Sequence, residues 1–247
     1  MDEIQKKQEE EYDFPYHYVS QFRNGFSQSF NDTWGINYVS TIEFLIQRLK
    51  NEEFKTVIDI GCGDGRLVRE LSIEFSEKRI LGIDYSDHAV SLAKILNKDC
   101  DYYQADITSE IIEKADLIVL MEVFEHIPPE IADNFVEGIY NHLNENGILF
   151  ITVPHKNKPV EFKHYRHFSS ETISKCFSDK FIIEEIIPFE SNGIRKRIID
   201  KILTNRFFIL NSQKLKNYIY KYYKNNLFLL NNDESRCNRI FIKAIKK

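Results

Sequence analysis

The stretch Val57-Ile58-Asp59-Ile60-Gly61-Cys62-Gly63-Asp64-Gly65 passes from a short, β-branched apolar run straight into alternating glycines. An apolar run of that length, without polar alternation, reads as a strand buried on both faces of a parallel sheet. The segment from Arg66 onward, with Leu67, Leu71 and Phe75 in helical register, makes the glycines a strand-to-helix junction. In open α/β sheets such a junction lies at the carboxyl edge of the strands, where ligands bind. Glycine lets backbone approach a ligand closely, and the amides that open the helix suit a carboxylate. A dinucleotide fingerprint would need a small residue where Arg66 stands, so the spacing disfavours a nicotinamide dehydrogenase.

On either side, strand and helix patterns alternate. Arg79–Asp84 reads as a second strand before a helix from about Asp87 to Leu96, and CDYYQAD as a third strand ending at Asp106. ADLIVLMEV is a fourth. Pro128 and Pro129 introduce a helix over Glu130–Leu143, and Asn146-Gly147 turns the chain into a fifth strand, GILFITVP. Phe181–Phe189 and Arg239–Lys247 read as strands that close the sheet. Upstream, an aromatic stretch (Phe14, Phe22, Phe26, Phe30, Trp34) precedes Val39, Ile42, Leu45, Ile46 and Leu49 at helical spacing. The expected fold is α/β: a doubly wound, Rossmann-like, seven-stranded, mostly parallel sheet with N-terminal helices and a helical insertion before the last strand. The expected division is 1–50, an N-terminal extension with lid helices; 51–190, the core; 191–236, a basic aromatic helical insertion; and 237–247, the final core strand.

Composition narrows the class. With 43% hydrophobic and 29% charged residues the chain is globular in balance, and 247 residues suit one α/β core with appended helices. The net charge of −5 disfavours a nucleic-acid partner at the level of the whole protein. Cys62, Cys100, Cys176 and Cys237 are scattered without a C-x-x-C pair, which suggests neither zinc knuckle nor disulfide framework and fits a cytoplasmic location. The charged start lacks an apolar signal region, and no stretch reaches the roughly 20 apolar residues of a membrane span.

An acid, Asp84, follows the second strand about 20 residues after the glycines, the spacing at which a carboxylate meets ribose hydroxyls. Ala105-Asp106-Ile107 follows the third strand. VIDIGCGDG, LGIDYS, ADI and ADLIVLMEVFEHIP, in that order and spacing, resemble the successive motifs of class I S-adenosylmethionine-dependent methyltransferases, over roughly Phe54 to Pro154. The resemblance implies S-adenosyl-L-methionine as cofactor. It implies that Asp59, Gly61, Cys62, Gly63 and Gly65 surround its methionine end, Asp84 with Tyr85 its ribose, and Asp106 with Ile107 its adenine. Glu122, at the end of the fourth strand, is expected beside the reacting end.

Methyl transfer from a sulfonium is an in-line displacement, so a catalyst must hold the acceptor close and, for a hydroxyl, take its proton. Glu122-Val123-Phe124-Glu125-His126 faces that space. Similar E-x-x-E-H segments occur in ubiquinone-biosynthesis O-methyltransferases and in enzymes that methylate the terminal ribose 2′-hydroxyl of small RNAs. The second resemblance implies a divalent cation on Glu122, Glu125 and His126 with a later histidine, for which His167, His164 and His155 are the candidates. The catalytic candidates are His126, Glu122, His164 and His167; a plain loop-capping role for Glu125-His126 stays open. His164-Tyr165-Arg166-His167-Phe168 followed by Ser169 resembles a segment that precedes a helix in many small-molecule and sugar methyltransferases, with Ser169 as N-cap.

The insertion carries Arg195, Lys196, Arg197 and Lys201 among Phe207, Phe208, Tyr218 and Tyr220. Three roles fit it: a helical lid whose aromatics are core, a wall against a phosphate-bearing or lipid-linked substrate, or peripheral contact with a membrane. Its placement loosely resembles methyltransferases of bacterial surface-polysaccharide and glycolipid pathways. The expected activity is O-methylation of a small-molecule or glycan-type acceptor. Its rivals are metal-dependent ribose 2′-O-methylation at RNA 3′ ends and a non-catalytic S-adenosylmethionine-binding module. The oligomeric state is left open.

Overall fold

The computed structural model describes residues 3–11, 16–18, 22–23, 25–26, 35–204, 207–208, 210–229 and 233–247. Phe14, Phe30 and Trp34 of the aromatic stretch lie outside them.

Helix α1 (Glu3–Glu11) leads, and α2 (Gly35–Leu49) follows. Then come β1 (Thr56–Ile60), α3 (Arg66–Glu74), β2 (Arg79–Asp84), α4 (Asp87–Leu96), β3 (Asp101–Gln104) and β4 (Ala115–Met121). The chain continues through α5 (Ala132–His142), β5 (Leu143–Pro154), α6 (Ser170–Phe177), β6 (Phe181–Ser191), α7 (Ile194–Thr204), α8 (Gln213–Tyr223) and β7 (Cys237–Lys246). The seven strands form one sheet in the order β3-β2-β1-β4-β5-β7-β6. All pairs are parallel except those of β7, which runs antiparallel between β5 and β6. This is the doubly wound, mostly parallel sheet that the alternating pattern predicts, and the reversal between β1-β2-β3 and β4-β5 opens a crevice at the carboxyl edge.

Both faces of the sheet are covered. On one, Val57 and Val119 meet Val39, Ile42 and Leu45 of α2, all buried. On the other, Ile58, Ile118 and Leu149 meet Phe135 and Ile139 of α5 and Phe177 of α6. Each such side chain contributes roughly 1.5–3 kcal/mol by leaving water. Helix α2 therefore belongs to the core layer, whereas the sequence reading grouped it with lid helices.

Three boundaries differ from expectation for local reasons. Pro129–Ile131 form a 3-10 turn, so α5 starts at Ala132 rather than Glu130. Asn146, at φ 59°, and Gly147 sit inside β5, where the register against β4 shifts between Ala115 and Leu117; they make a bulge and not the start of the strand. The third strand ends at Gln104, short of Asp106, where the Ala105 amide makes the last bond of the parallel ladder to the Asp84 carbonyl (3.0 Å).

Part of the insertion is core. Tyr223 is fully buried with its hydroxyl on Asn37 of α2, and Tyr220 donates to Glu43 Oε2 at 2.7 Å while stacking on Phe26. The other faces of α7 and α8 are exposed.

Candidate functional site

Glycines shape one end of the crevice. Gly61, Gly63 and Gly65 all have positive φ (74°, 54° and 81°), a region that favours glycine over every other residue. A Cβ at position 61 would stand 2.6 Å from the Val123 side chain, and one at 65 would stand 2.5 Å from the Tyr102 hydroxyl. Gly82 does similar work on β2, because a Cβ there would lie 2.8 Å from Cys62 Sγ.

Asp84, at the tip of β2, holds this loop from below. Its Oδ2 accepts from the Gly63 amide and its Oδ1 from the Ser86 amide, each at 2.9 Å. A carboxylate has about four lone-pair sites, so further bonds to hydroxyls are open to it. Asp59 is buried near the end of β1 and lines the cavity. Burial first, and the charge of Asp84 second, push its carboxyl well above the usual range. A cationic ligand group would supply the missing counter-charge. Burial, then Asp84, likewise pushes the Cys62 thiol up, and Cys62 lines the cavity beside the loop. Asp106 forms an Asx turn, with its Oδ1 accepting from the Thr108 amide and hydroxyl (2.9 and 2.7 Å), and buried Ile107 follows. Tyr85 is exposed at the rim.

A segment that sequence reasoning left unassigned crosses this end. His17 Nδ1 lies 2.9 Å from Asp64 Oδ2, the Tyr18 hydroxyl donates to the Asp64 carbonyl (3.3 Å), and Arg66 donates to the His17 carbonyl (2.9 Å). His17 also stacks on Tyr38. Beneath it Arg66 and Glu70, both fully buried, pair at 3.0 Å.

The same cavity, about 800 Å³, continues from the glycine loop to a second, charged end. Glu122 takes φ 59° and Glu190 φ 60°, left-handed conformations that cost a non-glycine residue roughly 1–2 kcal/mol. Arg239 of β7 bridges both: its Nε donates to Glu122 Oε2 at 2.7 Å and its NH1 to Glu190 Oε2. Lys196 of α7 lies 3.4 Å from Glu190 and 2.8 Å from Asp200. Strain held in place by such a network concentrates at functional sites.

Glu125 is fully buried, and neither carboxylate oxygen has a hydrogen-bond partner among the described residues. Burial, then the Glu122 charge, hold its carboxyl well above the usual carboxylate range. Two histidines stand beside it, with one ligand atom from each of Glu125, His126 and His164 all within 4.8 Å of one another. Carbonyls fix their tautomers. His126 Nδ1 donates to the Lys163 carbonyl (3.0 Å), which leaves the lone pair on Nε2. His167 Nδ1 donates to the Lys158 carbonyl (3.1 Å), so its Nε2 accepts from His164 Nδ1 (2.7 Å), and His164 also keeps its lone pair on Nε2. Burial first and the neighbouring His126 second push His164 down to about 3, which keeps it neutral.

Of the expected ligands, Glu125 and His126 lie together with His164, and the others stand differently. His167 stands behind His164 rather than beside Glu125, and Glu122 is engaged by Arg239. His155 is elsewhere, with its Nε2 on Glu234 Oε1 at 2.8 Å. Ser169 caps α6 as expected, its hydroxyl accepting from the Thr172 amide.

Residues 38–185 match the family described as Methyltransferase domain. A putative methyltransferase 235L of Invertebrate iridescent virus 6 is 34% identical over 92 residues, 37% of this chain and 34% of that protein. Trans-aconitate 2-methyltransferase of Escherichia coli is 31% identical over 111 residues, 44% of this chain and 43% of the relative. The chain therefore spans well under two thirds of the length of these curated relatives. Among solved structures, the N-methyltransferase NodS of Bradyrhizobium japonicum, in complex with S-adenosyl-L-homocysteine, superposes over 99% of both chains with a TM-score of 0.63 at 14% identity, a likeness of fold. By the match over 38–185, which takes in the glycine loop, Asp84, Asp106 and the Glu122–His126 segment, the chain belongs to the methyltransferase-domain family.

Proposed function

We propose that the chain transfers the methyl group of S-adenosylmethionine to a hydroxyl of a polar, hydroxyl-rich small molecule, such as a sugar of a glycan pathway. The observation that carries this reading is the single cavity joining the glycine loop to the His126 cluster. At one end, the glycine loop, which has no side chains to bar close approach, and the buried acids Asp59 and Asp84 match an amino-acid group and a ribose, and Asp106 with Ile107 match an adenine edge and face. At the other, the His126 Nε2 lone pair takes the acceptor proton as the hydroxyl oxygen attacks the methyl carbon and the carbon–sulfur bond electrons leave with sulfur. Glu125, kept neutral by burial, can donate to the acceptor.

The acceptor's polarity is argued from unmet hydrogen-bonding groups. Glu122 Oε1, both oxygens of Glu125 and Asp200 Oδ1 are buried without donors among the described residues, a costly arrangement unless a ligand brings hydroxyls. Lys158, Lys196 and Arg239 are each paired with a carboxylate, so a phosphate on the acceptor would have to compete for them. Four unpaired cysteines support a cytoplasmic setting, and no helix among the described residues is long and apolar enough to cross a membrane.

The test is calorimetry of S-adenosylmethionine against NAD, followed by transfer of labelled methyl groups to sugar and polyol acceptors. Binding of the first ligand alone and label on an acceptor hydroxyl are expected. Binding without transfer to any acceptor would favour the non-catalytic module, and binding of NAD would overturn the site assignment.

A second reading rests on the clustering of Glu125, His126 and His164, whose donor set suits a divalent cation. The residues fit: a buried carboxylate without a donor beside two imidazoles with their lone pairs on Nε2. Such an ion would polarise the acceptor hydroxyl, as in metal-dependent ribose 2′-O-methylation. Under the first reading, dialysis against EDTA leaves the transfer rate unchanged. A fall of roughly 10-fold or more, restored by Mg²⁺ or Mn²⁺, establishes the second.

A further inference from the structure

Charge is distributed unevenly along the chain. Between residues 194 and 228 there are nine lysines and arginines and a single aspartate, against a net charge of −5 for the whole protein. Helix α7 has two faces. Its inner face carries Ile199 and Leu203 into the core and Lys196 and Asp200 to the cavity. Its outer face presents Ile194, Arg197, Ile198 and Lys201 together, one turn apart, to solvent. Ile194 is 74% exposed, and just beyond the helix Phe207 is 96% exposed. Helix α8 repeats the pattern with Lys214, Leu215, Tyr218 and Lys221 exposed, and Arg195 reaches the Tyr222 hydroxyl across the two helices (3.4 Å).

We infer that the outer face of α7 and α8 docks the protein on an anionic lipid surface. Lysine and arginine alone would suit any polyanion. The large apolar side chains set among them need a partner with hydrocarbon beneath its charge, which an anionic bilayer has and a phosphate backbone does not. Isoleucine and leucine do not stack on nucleic-acid bases as aromatic side chains do. The inference is independent of the proposed reaction, though it would set α7 between the bilayer and the acceptor end of the cavity.

Flotation with vesicles of phosphatidylcholine alone, or mixed with an equal part of phosphatidylglycerol, tests it. The full chain floats with the mixed vesicles and stays behind with the neutral ones. Arg197→Glu/Lys201→Glu lowers partitioning by about 25-fold or more, given about fivefold per basic residue, and Phe207→Ser/Phe208→Ser lowers it about 10-fold. Unchanged binding of S-adenosylhomocysteine by both variants shows that they fold. The inference is overturned if wild-type protein ignores the anionic vesicles, binds neutral ones equally well, or partitions as before in both variants. It is also overturned if structured RNA competes the protein off the vesicles and binds more tightly.

Discussion

In Asp84→Ala, the affinity for S-adenosylhomocysteine falls roughly 100-fold or more, while the fold is retained. A hydrogen bond to a charged group contributes roughly 1.5–3 kcal/mol, and Asp84 accepts two from backbone amides. Removing the carboxylate releases Gly63 from the loop and takes away the acid that would meet the ribose. Asp84→Asn, which keeps one acceptor oxygen, is expected to fall between the two. Calorimetry reads the effect directly, and an unchanged dissociation constant would remove the ground for placing the nucleoside at this end of the cavity.

In His126→Ala, kcat drops by roughly 10²–10⁴ with little change in cofactor affinity, the range typical of a lost general base. The Nε2 lone pair of His126 is set by a bond from Nδ1 to the Lys163 carbonyl, so the whole ring is committed to one orientation. His164 is the internal control. Its imidazole is held neutral and lies against His126 at 4.6 Å between ring centroids, so alanine there loosens His126 and costs less than loss of His126 itself. An unchanged kcat in His126→Ala would end the proton-transfer role.

What could be read from the chain, and what could not, divides along sequence distance. The β1 strand and its glycines, Asp84 and Asp106 are each fixed within one strand–loop unit, so their place at the sheet edge follows from local pattern alone. The seven-stranded, mostly parallel sheet followed similarly, because alternating strands and helices leave few right-handed solutions. The acceptor end is built otherwise. Arg239 meets Glu122 across 117 residues of sequence, and no periodicity announces that pair. His164 and His167 are three residues apart on one loop, and only the bond from His167 to the Lys158 carbonyl decides which of them faces Glu125. Glu190 lies just past the strand read over Phe181–Phe189, and its φ of 60° has no signature in side-chain type. His17 was hidden in an aromatic stretch whose contacts with Asp64 are likewise non-local.

Because β7 threads between β5 and β6, the two ends of the cavity become available at different times in synthesis. By the time β4 has emerged, every residue that shapes the nucleoside end except its helical cover is already made. Arg239 comes more than a hundred residues later, and until it arrives Glu122 and Glu190 have no cation between them. Any ligand that grips the nucleoside end thus bears on residues made in the first half of synthesis, whereas what selects the acceptor waits for the last strand.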